Sequence, residues 1–137
     1  MTIKSLDHVN IVTAQLDDTV RFYEKFLGLK KGDRPNFSFP GAWLYCGDVP
    51  IIHLIGREPE GPGTGVVDHV ALGAEDLRGF VRRARKEKFE YEIKDVPGGR
   101  IRQMFIYDPN GVKIELNFLS PADIALDLKQ LEAKVPA

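Results

Sequence analysis

Three histidines and one glutamate carry the chemistry that this sequence can offer. His8 and His69 sit in two nearly identical stretches, Asp7-His8-Val9-Asn10-Ile11 and Asp68-His69-Val70-Ala71-Leu72. A second candidate ligand follows each at almost the same interval, His53 after His8 and Glu115 after His69. Imidazole and carboxylate suit Fe, Mn, Ni, Co or Zn, and two histidines with one carboxylate on one side of an ion leave positions open for substrate or oxygen. The chain has 3 histidines, and all of them fall at repeat-equivalent places, an arrangement that scattered structural histidines would not produce.

The elements that must position these residues read as two copies of one pattern. Residues 6 to 13 alternate as a half-buried strand, with Val9 and Ile11 on one side and His8 and Asn10 on the other. A helix follows, with Leu16, Val20, Tyr23 and Leu27 as its apolar stripe, Asp17 and Asp18 in its first turn, and Gly28 as its stop. A short strand near residues 29–31, a Pro- and Gly-rich loop, and strands at 42–46 and 50–55 complete the first module, about residues 3–56. Residues 57–65 hold no large apolar side chain and read as a linker.

The second module, about 66–119, repeats the order. A strand at 66–73 precedes a helix at about 75–88 with Leu77, Phe80, Val81 and Ala84 inward, and strands follow at 89–94 and 100–107. The turn Asp108-Pro109-Asn110-Gly111 leads into a last strand in which Val112, Ile114, Leu116 and Phe118 share one face and Lys113, Glu115 and Asn117 the other. Ser120 then Pro121 predicts a terminal helix, about 120–133, with Ile124, Leu128 and Leu131 on one side. The fold class is therefore α+β, two βαβββ modules and a C-terminal helix, in one domain. Helices cover one face of each sheet; if the sheets curl toward each other about an approximate twofold axis, His8, His53, His69 and Glu115 converge.

Composition narrows the partners. A length of 137 residues with 43% hydrophobic and 28% charged residues fits one soluble globular domain with a real core. The net charge of −1 gives no electrostatic case for nucleic acid or an anionic membrane. No stretch approaches the roughly 18 apolar residues of a span, and the N-terminus lacks a secretion signal's apolar region, so a cytoplasmic protein is expected. Cys46 is the single cysteine, which fits a reducing compartment and a packing role. The basic run from Arg78 to Lys88 is interrupted at helical spacing and reads as a solvated helix face.

The two Asp-His-Val strands, the Phe22-Tyr23 to Leu27-Gly28-Leu29 helix end and the Asp108-Pro109-Asn110-Gly111 hairpin leading to Glu115 resemble the vicinal oxygen chelate superfamily, which spans glyoxalases, bleomycin-resistance proteins and extradiol dioxygenases. The resemblance covers about residues 3 to 119. It implies paired, curved mixed sheets around one divalent metal, a small-molecule substrate and a homodimer, but it is poor guidance to substrate because isomerases, epimerases, dioxygenases, transferases and metal-free binders share it.

Glyoxalase I-like members carry His, Glu, His, Glu at the four positions; this chain matches at His8, His69 and Glu115 and departs at His53. Extradiol dioxygenases hold Fe(II) with residues matching His8, His69 and Glu115 and use a histidine matching His53 as the acid-base group. The resemblance therefore implies a ring-cleaving dioxygenase acting on a catechol-like substrate, with Fe(II) or Mn(II) favoured. A tyrosine of those enzymes corresponds to Phe105 here; Tyr107, of the same strand parity, is the candidate replacement. The alternatives are a glyoxalase-type lyase or isomerase with Ni(II), Co(II) or Zn(II) and His53 as a fourth ligand, and a metal-free binding protein. Around the site, Asn10, Asn117, Gln103 and Arg102 could orient substrate oxygens, while Trp43, Tyr45, Phe37 and Phe39 could wall a pocket for a planar ring. Arg34 could meet a substrate carboxylate.

Overall fold

A computed structural model describes residues 1–2, 5–61, 63–65, 67 and 69–132. Two compact units divide the chain at Pro62 and Gly63, close to the expected linker. The predicted strand at 66–73 begins in part on Val66 and Asp68, and the terminal helix ends on Ala133; those three residues lie outside the described ones.

The first unit runs β1 (Val9–Thr13), α1 (Leu16–Lys25), β2 (Lys30–Gly32), β3 (Gly41–Cys46) and β4 (Val49–Gly56). Its sheet has the order β1-β4-β3-β2, with β1 parallel to β4 and the other pairs antiparallel. The side chains of Ile11, Ala42, Leu44, Ile52 and Leu54 are buried on the sheet's apolar side. The stripe that α1 buries is Thr19, Phe22, Tyr23 and Phe26, not the predicted set; of that set only Tyr23 is buried, and Leu16, Val20 and Leu27 lie at its margin. Thr19 can be buried because its hydroxyl donates to the Gln15 carbonyl at 2.7 Å and meets the Thr13 hydroxyl at 3.1 Å, so no polar atom is stranded. Gly28, at φ 74, ends the helix as predicted and lets the Leu29 amide reach back to the Tyr23 carbonyl.

The second unit repeats the plan: β5 (His69–Ala74), α2 (Leu77–Glu87), β6 (Glu92–Asp95), β7 (Arg102–Tyr107) and β8 (Lys113–Phe118), with sheet order β5-β8-β7-β6 and β5 parallel to β8. The strict alternation of β8 is realised, since Ile114, Leu116 and Phe118 are buried and Lys113, Glu115 and Asn117 are half-buried on the other face. The Asp108 carboxylate shapes the hairpin by accepting from the Asn110 and Val112 amides at 2.7 and 2.9 Å.

The predicted single terminal helix is two short ones, α3 (Pro121–Ile124) and α4 (Leu128–Glu132). They are separated because Asp127 starts the second one, its carboxylate accepting from the Lys129 amide. Asp123, buried, accepts from the Asp76 and Leu77 amides at 3.1 and 2.8 Å and so caps the N-terminus of α2. Arg102 donates to the Asp123 and Leu126 carbonyls, and Arg85 and Tyr91 donate to the Leu131 carbonyl, so the segment is docked on its own unit. No helix among the described residues is long and apolar enough to cross a membrane.

Asp123→Ala removes both bonds to the α2 terminus and is expected to destabilise the protein by about 1–3 kcal/mol in urea unfolding. Asp127→Ala, at an exposed cap, is expected to cost less than about 1 kcal/mol. Equal effects would contradict the assigned role of Asp123.

Candidate functional site

The parallel strand pair of each unit builds the same diagonal. In β1/β4, Asn10 lies opposite His53, and His8 precedes Asn10 by one alternation. In β5/β8, Ala71 lies opposite Glu115, and His69 precedes Ala71 by one alternation. Side chains so related share a face and come within reach of one another. The pairs that form are His8 with His53 and His69 with Glu115. Among the described residues, no three His, Cys, Asp or Glu side chains gather closely enough to hold an ion.

In the first unit His53 is sandwiched. Its ring stacks on His8 with centroids 3.8 Å apart and planes 12° from parallel, and on Trp43, its opposite number on β3, at 3.9 Å and 8°. His53 Nε2 is buried with no hydrogen-bond partner. Burial lowers the His53 pKa from the ordinary 6.5 and the charge of His8 lowers it further, against the opposing pull of a hydrogen bond to the Pro50 backbone and of Asp7. The neutral imidazole is thus favoured. His8 Nδ1 lies 2.6 Å from Asp7 Oδ2; an Nδ1–H given to that carboxylate leaves Nε2 as the acceptor, the tautomer a metal-ligating histidine needs. Asp7 had no role assigned from sequence, although its place beside His8 was the available signal.

In the second unit His69 Nε2 and Glu115 Oε1 are 3.7 Å apart. That is beyond a direct hydrogen bond, yet two donors each about 2.0–2.2 Å from one ion can stand up to roughly 4 Å apart. Donor type and spacing therefore fit a divalent transition metal. Glu115 Oε2 accepts from Asn117 Nδ2 at 3.0 Å, and Asn117 Oδ1 accepts from Gln103 Nε2 at 3.2 Å.

The other candidates divide. Asn10 is exposed beside His53. Tyr45 donates its hydroxyl to the Asp33 carbonyl at 2.5 Å, and a side chain at Gly32 would strike its ring. Phe39 stacks on Phe37 at 4.8 Å with the Arg34 guanidinium about equally near both rings, at 5.3 and 5.2 Å. Phe105, not Tyr107, lies opposite Glu115; Tyr107 is 59% exposed opposite Lys113. Arg102 must be corrected. It shares the buried face of β7 with Met104 and Ile106, the face away from Glu115, and its guanidinium is tied to Asp95 at 2.7 and 3.2 Å as well as to the terminal segment. These bonds hold the Asp95 carboxyl below its usual range. A cleft of about 350 Å³ between α2 and the terminal segment, lined by Arg78, Arg82, Arg85, Val81 and Leu131 among others, includes no residue of the Glu115 face.

Comparison with known proteins agrees with this architecture. The model of the Glyoxalase/Bleomycin resistance protein/Dioxygenase superfamily matches residues 5–116, and the chain belongs to that superfamily. It is 34% identical over 121 residues to the uncharacterized protein YwbC of Bacillus subtilis, covering 82% of this chain and 95% of that one. It is 28% identical over 122 residues to Glyoxylase I 4 of Arabidopsis thaliana, covering 83% and 70%. The fold is also that of a variant of the fosfomycin resistance protein FosX from Listeria monocytogenes, solved with Mn(II) and a dihydroxypropylphosphonic acid (TM-score 0.72, 15% identity, 90% and 98% covered).

The depressed pKa of His53 gives a signed pH dependence. As pH falls through 6.5, the unfolded chain takes up a proton that folded His53 resists, so the folded state loses stability on acidification. Urea midpoints of the metal-free protein at about pH 7.5 and about pH 5.5 should fall further apart for the native sequence than for His53→Gln. An identical pH dependence would remove His53 as its source.

Proposed function

We propose that the protein is a metal-dependent enzyme acting on a small substrate with two adjacent oxygen atoms, in which His8, His69 and Glu115 hold the metal and His53 transfers the proton. The observation that carries this division of labour is the His8–His53 stack. An imidazole lone pair lies in the plane of its ring. Two nearly parallel rings with centroids 3.8 Å apart direct their lone pairs along separate planes, so an ion in the plane of His8 lies outside that of His53. His53 is then a neighbour of the metal and not a fourth ligand.

A bound divalent metal would polarise both substrate oxygens and lower the pKa of a hydroxyl on one of them. His53, kept neutral by burial, accepts the released proton and returns it later. The flanking rings of Trp43 and His8 hold the plane of that imidazole. An imidazole in this role favours extradiol cleavage of a catechol-like substrate with Fe(II) or Mn(II), and the family resemblance supports a homodimer. The similarity to Glyoxylase I 4 favours a second reading, a lyase or isomerase acting on a hemithioacetal.

Glu115→Ala is expected to lose metal and activity together, measured by elemental analysis and turnover. His53→Ala should keep its metal while kcat falls by about 10²- to 10⁴-fold; loss of metal would make His53 a ligand instead. Oxygen uptake with catechols supports ring cleavage, whereas hemithioacetal turnover without oxygen uptake would replace it with the second reading.

A further inference from the structure

We propose that Asn117, fixed by Gln103, is a positioning residue that occupies one carboxylate oxygen of Glu115 and leaves the other, beside His69, as the only oxygen offered to a divalent cation. This rests on reading Glu115 and His69 as ligands. Glu115 and Asn117 are successive residues on one face of β8, and Gln103 lies directly opposite Asn117 on β7. An ionised carboxylate only accepts hydrogen bonds. Asn117 must therefore turn Nδ2 toward Glu115, which leaves Oδ1 facing Gln103, and Gln103 must answer with its own amide nitrogen. The observed bonds, 3.0 Å from Asn117 Nδ2 to Glu115 Oε2 and 3.2 Å from Gln103 Nε2 to Asn117 Oδ1, run in that direction.

The arrangement separates the two oxygens of Glu115. Oε2 is engaged by Asn117, and Oε1 stands 3.7 Å from His69 Nε2. Little solvent is available to replace the Asn117 bond, because the Glu115 side chain is only 13% exposed, against 38% for His69. A carboxylate held this way binds through one oxygen and keeps a coordination position free for substrate. Released from Asn117, it could turn both oxygens to the ion and close that position.

The test uses the full chain, stripped of metal and titrated with Co(II), whose visible absorption reports coordination number. Asn117→Leu, and Asn117→Ala as a variant that adds no bulk, should weaken Co(II) binding by about 10- to 100-fold and alter the absorption bands. Gln103→Leu should act in the same direction but more weakly. The double variant Gln103→Leu/Asn117→Leu should bind no worse than Asn117→Leu alone, since Gln103 acts only through Asn117. Unchanged affinity and spectrum in both Asn117 variants would overturn the inference, and fully additive losses would overturn the part assigned to Gln103. If Glu115→Ala itself binds Co(II) with unchanged affinity and spectrum, the ligand reading beneath it has failed.

Discussion

The chemistry of this chain depends on a parallel hydrogen-bond ladder used twice. In each unit the first strand, with a histidine at or just before its start, is paired with the last strand, carrying the second reactive group. Parallel strands cannot be joined by a tight turn, so a helix and two further strands must intervene. That requirement accounts for the long, nearly equal intervals from His8 to His53 and from His69 to Glu115. It also explains why a helix covers one face only and leaves the other for polar side chains.

The same register carries different chemistry in the two units. In the first, both groups are imidazoles, and aromatic neighbours on either side of His53 exclude water and suppress its charge. In the second, a carboxylate beside an imidazole accepts an amide hydrogen bond from Asn117. A neutral base and an anionic ligand cannot share one environment, since low polarity favours the first and donors favour the second. Different face residues on one backbone plan give each group its own surroundings.

Much of this was legible in the sequence because local signals were strong. The alternation in β8, the Asp108 turn, Gly28 and the repeated histidine strands all pointed to the observed elements. Arg102 was misread because, as a polar strand residue, it was assigned with Gln103 to the polar face that carries Glu115. Strand parity alone places it inward with Met104 and Ile106, and what makes that tolerable is a set of distant acceptors, Asp95 and the Asp123 and Leu126 carbonyls, that no motif announces. Thr19 was missed for the same reason, a polar group made buriable by its bonds. The stack of Trp43 on His53 required the cross-strand register of β3 and β4, which shifts between Leu44 and Tyr45 and has no local sequence signature.

The cap supplied by Asp123 has a consequence for how the second unit is made. The amides at the start of α2 and the guanidinium of Arg102 precede in the chain the partners that they find among residues 123–126. Chains fold as they emerge, N-terminal parts first. The first unit draws on no such late segment for its own strand ladder. In the second, the Asp76 carboxylate on the Gly79 amide and Asp95 on Arg102 can form earlier, but the Asp76 and Leu77 amides and the remaining Arg102 bonds need residues 123–126. The start of α2 thus gains its Asp123 bonds only after the strand carrying Glu115 has been synthesised.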